Sequence, residues 1–222
     1  MISRILILRL LILICVIAIG AGCTKQVSPV DTAATSTAST TATSMSFRTL
    51  KDYPDQTFSA DQFTKGMMKG AHNLLIWKDP TTDLSQYASV KLTDFGGRLL
   101  PEQKEFSYDS YIAFFNSIFR SSIRVPQKDS PDALLIEGAV VECNPGSRTA
   151  RYLVGFGAGR AACAVACEVY EPGKSTPCMR IYARDTASMG MFGGDSVGML
   201  NNIMSVLGTR LATTLNTTIV AR

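Results

Sequence analysis

Regular spacing of hydrophobic and polar positions predicts most of the elements of this chain. Residues 85–95 alternate between apolar and polar side chains, as a half-buried β-strand does. Residues 133–143, 161–170 and 178–185 predict three more strands, and the last two are joined by Pro172-Gly173-Lys174-Ser175, a hairpin signal. A short apolar run at residues 74–77 predicts an edge strand that ends at Asp79-Pro80.

Two segments carry apolar residues at helical spacing. The first follows Ser107, a candidate N-cap, and its apolar stripe consists of Tyr108, Ile112, Phe115, Ile118 and Phe119. The second spans residues 196–216 behind Asp195, another candidate N-cap. The far face of this second helix has Arg210 as its single charge. Two interpretations fit that face: an ordinary surface helix, and a subunit contact in a homo-oligomer.

The order of these elements, β-α-β-β-β-α, predicts an α+β fold with a small, mostly antiparallel sheet packed by helices. Residues 47–222 have the length and apolar content of one domain with its own core.

The first 22 residues have the pattern of an export signal. Arg4 and Arg9 precede an uncharged apolar run at residues 10–21, which is too short to cross a hydrocarbon core of about 30 Å as a helix. A retained transmembrane anchor is the weaker alternative, because a longer span would bury Arg9. Residues 1–22 are therefore predicted to be a signal peptide.

The segment Ile19-Gly20-Ala21-Gly22-Cys23 resembles the bacterial lipobox, although Gly20 stands where the family usually has leucine. The resemblance implies that Cys23 receives lipid and that the leader is cut before it. Thr24 in the next position implies the outer membrane, on its periplasmic face, since the family signal for retention in the inner membrane is Asp. Several acyl chains on one cysteine would hold a protein at a membrane almost permanently.

Residues 23–46 read as the lipidated cysteine followed by a flexible tether. They are dominated by Ser, Thr, Ala and Val, with Lys25 and Asp31 as the only charges, and cannot bury enough apolar surface to fold. Such a coil spans about 26 Å. Without the leader, the 22 Lys and Arg become 20 against 18 Asp and Glu, a balance that gives no reason to expect nucleic acid.

Four cysteines lie in the predicted domain. Cys143 ends one strand and would lie opposite Cys163 if the two strands are antiparallel, so this is the favoured disulfide. Free buried cysteines are the alternative. Cys167 and Cys178 fall on different faces by alternation, which disfavours their pairing. We expect no metal and no cofactor, since there is no CxxC pair and a single histidine.

A group of arginines surrounds the glycine-rich segment 155–159. Arg148, Arg151 and Arg160 flank it, with Arg180 and Arg184 on a nearby strand. Together they could hold an anionic partner through forked hydrogen bonds. Solvated cations or local ion pairs with Glu142, Glu168 and Asp185 are the competing interpretation. We do not expect a dinucleotide loop here, because Arg160 stands where the next glycine is needed and a strand is predicted to follow.

Gly194-Asp195-Ser196-Val197-Gly198 matches the pattern of a nucleophile elbow. No histidine follows Ser196, and His72 upstream has no obvious carboxylate partner, so a helix cap after a glycine-rich turn is favoured over an esterase. The methionines near this segment are interpreted as core filler.

The segments Ile136-Glu137-Gly138, Asn144-Pro145-Gly146-Ser147-Arg148 and 155–159 resemble a group of uncharacterised bacterial lipoproteins whose domain has no known function. The likeness extends over most of residues 74–215, and more distantly the topology is similar to curli-secretion lipoproteins and to lipoproteins that activate peptidoglycan synthases. No catalytic residue is known in the family.

These observations predict a non-enzymatic lipoprotein that binds another envelope protein or polymer through the loops near residues 148–160. An anionic lipid- or glycan-binding module is the first alternative, and a Ser196 esterase the second.

Overall fold

A computed structural model describes residues 58–100, 106–146, 160–187 and 196–220 of the chain. Within them lie three α-helices, α1 (Ala60–Thr64), α2 (Asp109–Ser122) and α3 (Ser196–Val220). Two 3-10 turns lie at Ala71–Asn73 and Leu84–Gln86. The six strands are β1 (Met68–Lys69), β2 (Leu75–Lys78), β3 (Val90–Leu92), β4 (Leu134–Asn144), β5 (Ala161–Tyr170) and β6 (Met179–Ala187).

The strands form one sheet in the order β1-β2-β6-β5-β4-β3. Every pairing is antiparallel except β3 with β4, which run parallel. That exception follows from α2, because a parallel pair needs a crossover and α2 lies between these two strands in sequence. The predicted α+β fold with a largely antiparallel sheet is confirmed.

One face of the sheet, called here the core face, packs against α2 and α3. The stripe of α2 buries Phe115 and Phe119, and α3 buries an apolar row along its whole length: Leu200, Ile203, Met204, Leu207, Leu211, Leu215 and Ile219. Asn216 of α3 joins the two helices. Its side chain accepts a hydrogen bond from Arg124 N at 2.8 Å and donates one to the Ser122 carbonyl at 2.9 Å, which satisfies backbone groups at the end of α2.

Phe95 fixes the centre of the core face. Its ring lies 5.2 Å from the Phe115 ring and 5.1 Å from the Phe119 ring, between centroids. It covers Gly138 of β4 so closely that a Cβ built there would lie 2.0 Å from a ring carbon. The Asn116 side chain donates to the carbonyl of Phe95 and accepts from its N–H, each at 3.0 Å. The glycine of the motif Ile136-Glu137-Gly138 therefore has a packing role.

The opposite face, called here the outer face, is covered in part by α1. Phe63 of α1 is fully buried and belongs to a second apolar cluster with Ala139, Ala164, Ala166 and Tyr182. Ser59 caps α1, because its hydroxyl accepts a hydrogen bond from Gln62 N at 3.4 Å. All ten residues of β5 are buried, since both of its faces are covered.

The structure corrects several boundaries. The strand predicted at residues 85–95 is reduced to β3, because Asp83 caps a 3-10 turn at Leu84–Gln86. The segment predicted as an edge strand is β2, which pairs with β6 on one side and β1 on the other. Helix α2 begins at Asp109 with Tyr108 as its N-cap residue. The Ser107 hydroxyl accepts a hydrogen bond from Asp109 N and donates one to the Asp109 carboxylate. Asp195 lies outside the described residues.

Candidate functional site

Three of the six predicted site residues can be located. Cys23, Arg148 and Arg151 lie outside the described residues, as does the glycine-rich segment 155–159. Arg160 is exposed and directly precedes β5. Cys143 and Cys163 lie in β4 and β5, and the register of these strands places them opposite each other. The described part of the predicted site is thus the end of the β4–β5 pair where residues 145–160 connect the two strands.

The chain leaves β4 through a tight polar turn. Asn144 Oδ1 accepts a hydrogen bond from Gly146 N at 2.8 Å. Gly146 has φ of 78°, which a residue without a side chain adopts readily. The turn directs the chain into the connection that carries Arg148, Arg151 and Arg160.

Two arginines near this end of the sheet are engaged in ion pairs. Arg184 of β6 forms a forked pair with Glu142 of β4, with nitrogen–oxygen distances of 2.7 and 3.0 Å. This pairing raises the pKa of Arg184 above its ordinary value. Arg210 of α3 contacts Asp185 at 3.2 Å. The ion-pair interpretation is therefore correct for Arg184, whereas Arg160 forms no ion pair with any residue that the structure describes.

All four cysteines of the domain are buried free thiols in this structure. The Cys143 and Cys163 thiols share a hydrogen bond, which raises the pKa of Cys163 and lowers that of Cys143. Burial raises the pKa of Cys167, and it raises that of Cys178 to about 11. Cys178 precedes β6 and packs in the same core cluster as Cys167, so the prediction that these two cysteines fall on different faces is wrong. The disulfide itself stays a prediction.

A row of residues with a buried charged centre, Glu168 and Arg180, crosses the outer face, and its burial was missed by sequence reasoning. In register, Glu137 of β4 lies beside Glu168 of β5, Glu168 beside Arg180 of β6, and Arg180 beside Trp77 of β2. Glu168 is fully buried and accepts a hydrogen bond from Tyr170 Oη at 2.6 Å. Sequence reasoning had placed Arg180 with the candidate anion-binding arginines, and its position inside the fold argues against that role.

The Arg180 side chain lies against two aromatic rings. Its guanidinium carbon lies 4.8 Å from the Trp77 ring centroid and 5.9 Å from that of Phe63, a cation–π arrangement. The residue is only 5% exposed. Burial lowers the pKa of Arg180, and the charge of Glu168 partly opposes that shift. The arrangement ties α1 to the sheet through a buried cation.

A second polar group closes the β5–β6 hairpin at the opposite end of these strands. Glu171 is buried, accepts a hydrogen bond from Tyr87 Oη at 2.9 Å and pairs with Lys174. The Lys174 ammonium, followed by the Tyr87 hydroxyl, lowers the pKa of Glu171 below its ordinary value. Burial, together with the nearby Glu171, raises the pKa of Tyr87 to about 12. This group joins the hairpin to the segment that precedes β3.

Ser196 and His72, the two residues considered for an esterase, lie on different secondary-structure elements. Ser196 is the first residue of α3, and His72 lies exposed in the 3-10 turn at Ala71–Asn73 with φ of 57°. Met204 is buried in the core and Met199 packs against it, in agreement with a filling role. No metal-binding group of three or more His, Cys, Asp and Glu occurs in the parts of the chain that the structure describes.

Among the same residues, none of the helices combines the length and hydropathy needed to span a membrane.

Residues 116–202 match the family model described as "Domain of unknown function (DUF4410)". The match runs from the middle of α2 into the first turns of α3, and it agrees with the predicted resemblance to a domain of unknown function. The more distant likeness to curli-secretion and peptidoglycan-synthase-activating lipoproteins stays a prediction. No curated protein matches the chain.

Solved structures that are similar to this chain include PelC from Paraburkholderia phytofirmans, which crystallised as a dodecamer. It shares 12% identity with this chain at a TM-score of 0.40, and the match covers 62% of this chain and 94% of PelC. A minor lipoprotein from Acinetobacter baumannii shares 13% identity at a TM-score of 0.33, over 61% of this chain and 94% of that protein. Similarity at this level supports no inference about function.

Proposed function

We propose that this protein is an outer-membrane lipoprotein that acts as a non-enzymatic binding module of the bacterial envelope. Cys23 carries the lipid, residues 23–46 form the tether, and the domain faces the periplasm. The connection between β4 and β5 binds an anionic surface of another envelope protein or polymer through Arg148, Arg151 and Arg160.

The anchor rests on the leader and on the segment that ends at Cys23. A cationic start, a short apolar run and small residues before a cysteine form one continuous signal. The long Ser/Thr-rich segment that follows has the composition of a spacer, so the domain can reach partners at a distance of a few nanometres from its membrane.

The proposed binding surface is supported chiefly by which of the arginines that the structure describes already have partners inside the fold and which do not. Arg184 and Arg210 already have carboxylate partners, and Arg180 lies inside the fold. Arg160 is exposed and has no ion-pair partner within the described ranges, and two more arginines lie in the same connection. Arginine side chains bind carboxylates and phosphates through two parallel hydrogen bonds, so a cluster of three favours an anionic partner.

The binding claim is tested by neutralising the three arginines together in the full-length protein. The variant Arg148→Gln/Arg151→Gln/Arg160→Gln is affinity-purified from mildly solubilised membranes, and the co-purifying proteins and polymers are quantified. We expect enrichment of the partner to fall by about tenfold or more, since the loss of one charge-assisted hydrogen bond worth about 1.5 kcal/mol already has that effect.

A matched control removes the same charge elsewhere. Lys65, Lys69 and Lys78 are exposed at or near the β1–β2 edge, three or more strands from β4 in the sheet order. The variant Lys65→Gln/Lys69→Gln/Lys78→Gln should bind as the wild type does. Equal binding by all three proteins contradicts the proposed surface, and equal loss in both variants shows only a dependence on net charge.

The lipid-binding and glycan-binding alternatives differ in which molecule supplies the anionic groups, so each can be tested with its own ligand. Sedimentation of the full-length protein with phosphatidylglycerol vesicles, and separately with purified peptidoglycan, measures each directly. Salt-sensitive binding to either, lost in the triple arginine variant, identifies that polymer or lipid as the partner. Cys23→Ser tests the anchor independently, because it should abolish acyl labelling and release the protein from membranes without changing the domain.

A further inference from the structure

We infer that Cys143 and Cys163 form a disulfide that staples β4 to β5 at the root of the connection carrying the three arginines. The structure contains both residues as buried thiols on adjacent strands. This bond rests on the proposed periplasmic location, where disulfides persist, and is independent of what the connection binds.

The register of the sheet places the two residues face to face. Cys143 and Cys163 are Cα partners in the antiparallel β4–β5 pair. Directly opposite residues in such a pair have Cα atoms about 4.5 or 5.5 Å apart, within the range of about 4.4–6.8 Å that a disulfide requires. Both side chains belong to the cluster on the core face, so they also project to the same side of the sheet.

A β-bulge brings about this pairing. The register of β4 against β5 shifts between Val140 and Glu142, where one extra residue is inserted in β4. With an unbroken register, Cys143 would fall opposite Ala162 instead, and alternation would turn the two thiols to opposite faces. The irregularity therefore places Cys143 in line with Cys163.

The other pairings are excluded by distance. Cys167 lies four residues beyond Cys163 on β5, or about 13 Å along the strand, and its partner on β4 is Gly138. Cys178 donates its N–H to the Val169 carbonyl, two positions beyond Cys167. That offset, together with the spacing between strands, separates the Cα atoms of Cys167 and Cys178 by about 8 Å, beyond the limit of about 7 Å.

The bond requires an oxidant during folding. Both thiols lose their protons, one sulfur–sulfur bond forms, and the two electrons reduce a disulfide of an oxidant protein or of glutathione to two thiols. Cys163 has no exposed surface and Cys143 only 5%, so exchange is blocked once the core has closed. A disulfide that forms before the core closes is then protected from reductants. If the core closes before the disulfide forms, both thiols remain.

The bond is tested by peptide mapping of the full-length protein taken from intact envelopes. Cells are quenched in acid, free thiols are alkylated under denaturing conditions, and the protein is digested with trypsin without reduction. Cleavage after Lys128, Arg148, Arg160 and Lys174 gives peptide 129–148 with Cys143 and peptide 161–174 with Cys163 and Cys167. We expect these two peptides to be linked, with fragmentation assigning the link to Cys163 and the alkyl group to Cys167.

Two results overturn the inference. One is alkylation of all four cysteines without prior reduction, and the other is a link that involves Cys167 or Cys178. Variants supply an independent measurement if the wild type is bridged. Cys143→Ser, Cys163→Ser and the double variant should lower the melting temperature of the non-reduced protein by similar amounts, because either single change already breaks the bond. Additive shifts would contradict a shared bond.

Discussion

The contact between Phe95 and Gly138 makes the strongest quantitative prediction about the fold. A methyl group added by Gly138→Ala would lie 2.0, 2.4 and 2.5 Å from three carbons of the Phe95 ring. Carbon atoms in proteins pack about 3.5–4.0 Å apart, so the ring would have to move by about 1.5 Å. The neighbouring Phe115 and Phe119 rings and the hydrogen bonds of Asn116 to the Phe95 backbone oppose that movement.

The expected cost follows from these constraints. Overpacking a well-filled core typically costs about 1–3 kcal/mol, and complete loss of a buried phenylalanine costs about 3–5 kcal/mol. Because the ring is 1% exposed and fixed on several sides, we expect Gly138→Ala to cost about 3 kcal/mol. For a domain of this size, that corresponds to a fall in melting temperature of about 6–12 °C.

The assay is equilibrium unfolding in urea, followed by circular dichroism on the full-length protein. Gly96→Ala is the matched control, since its added methyl group would have no heavy atom within 4 Å and Gly96 directly follows Phe95. We expect that control to lie within about 0.5 kcal/mol of the wild type. In a Phe95→Ala background, Gly138→Ala should cost much less, because the methyl group enters the vacated space; this non-additivity measures the contact.

Equal stability of Gly138→Ala and Gly96→Ala would refute the packing argument. Additive costs of Phe95→Ala and Gly138→Ala would refute the specific contact, even if each variant alone were unstable.

Three further predictions concern polar groups. Glu171→Gln should lower the free energy of unfolding at neutral pH but not in strong acid. Lys174 depresses the folded pKa of Glu171, so the stabilising contribution of the carboxylate is present above the ordinary value of 4.5 and is lost as the pH falls through the folded value. An equal difference between the urea midpoints of the variant and the wild type at both pH extremes would contradict this. Arg180→Met should lower the free energy of unfolding by about 3 kcal/mol in the same assay, because Glu168 stays buried without the cation beside it. Unchanged stability would show that the two charges are independent. Asn116→Ala should cost about 1–3 kcal/mol, since it removes two hydrogen bonds to the Phe95 backbone, and a loss below 0.5 kcal/mol, the ordinary surface range, would refute it.

The elements with strong periodicity could be predicted from the sequence. Helix α3 and strands β4, β5 and β6 form where the apolar stripe and the alternation predict them, because each element buries one continuous row of apolar side chains. The position of Cys143 at the end of its strand also led to the correct prediction that it lies opposite Cys163, although the bulge in β4 that sets this register was not predicted. Local pattern predicts these features because the burial that stabilises them is itself periodic.

Other features depend on contacts that the sequence does not display. Arg180 reads as a surface cation, but Trp77 and Phe63, both more than 100 residues earlier in the chain, enclose it. The parallel pairing of β3 follows from where α2 sends the chain, and the short length of β3 follows from the turn capped by Asp83. Such long-range contacts and local caps override the alternation seen in residues 85–95.

The central claim, that the connection between β4 and β5 is a binding surface at the membrane, is tested most directly by photocrosslinking in living cells. A photoreactive phenylalanine analogue replaces Phe156 in the connection, and in a control it replaces Phe114, an exposed aromatic residue of α2. Our account predicts a light-dependent adduct in the membrane fraction for position 156, lost when Arg148, Arg151 and Arg160 are changed to Gln, and none for position 114. No adduct at position 156, or an equal adduct at both positions, would contradict it.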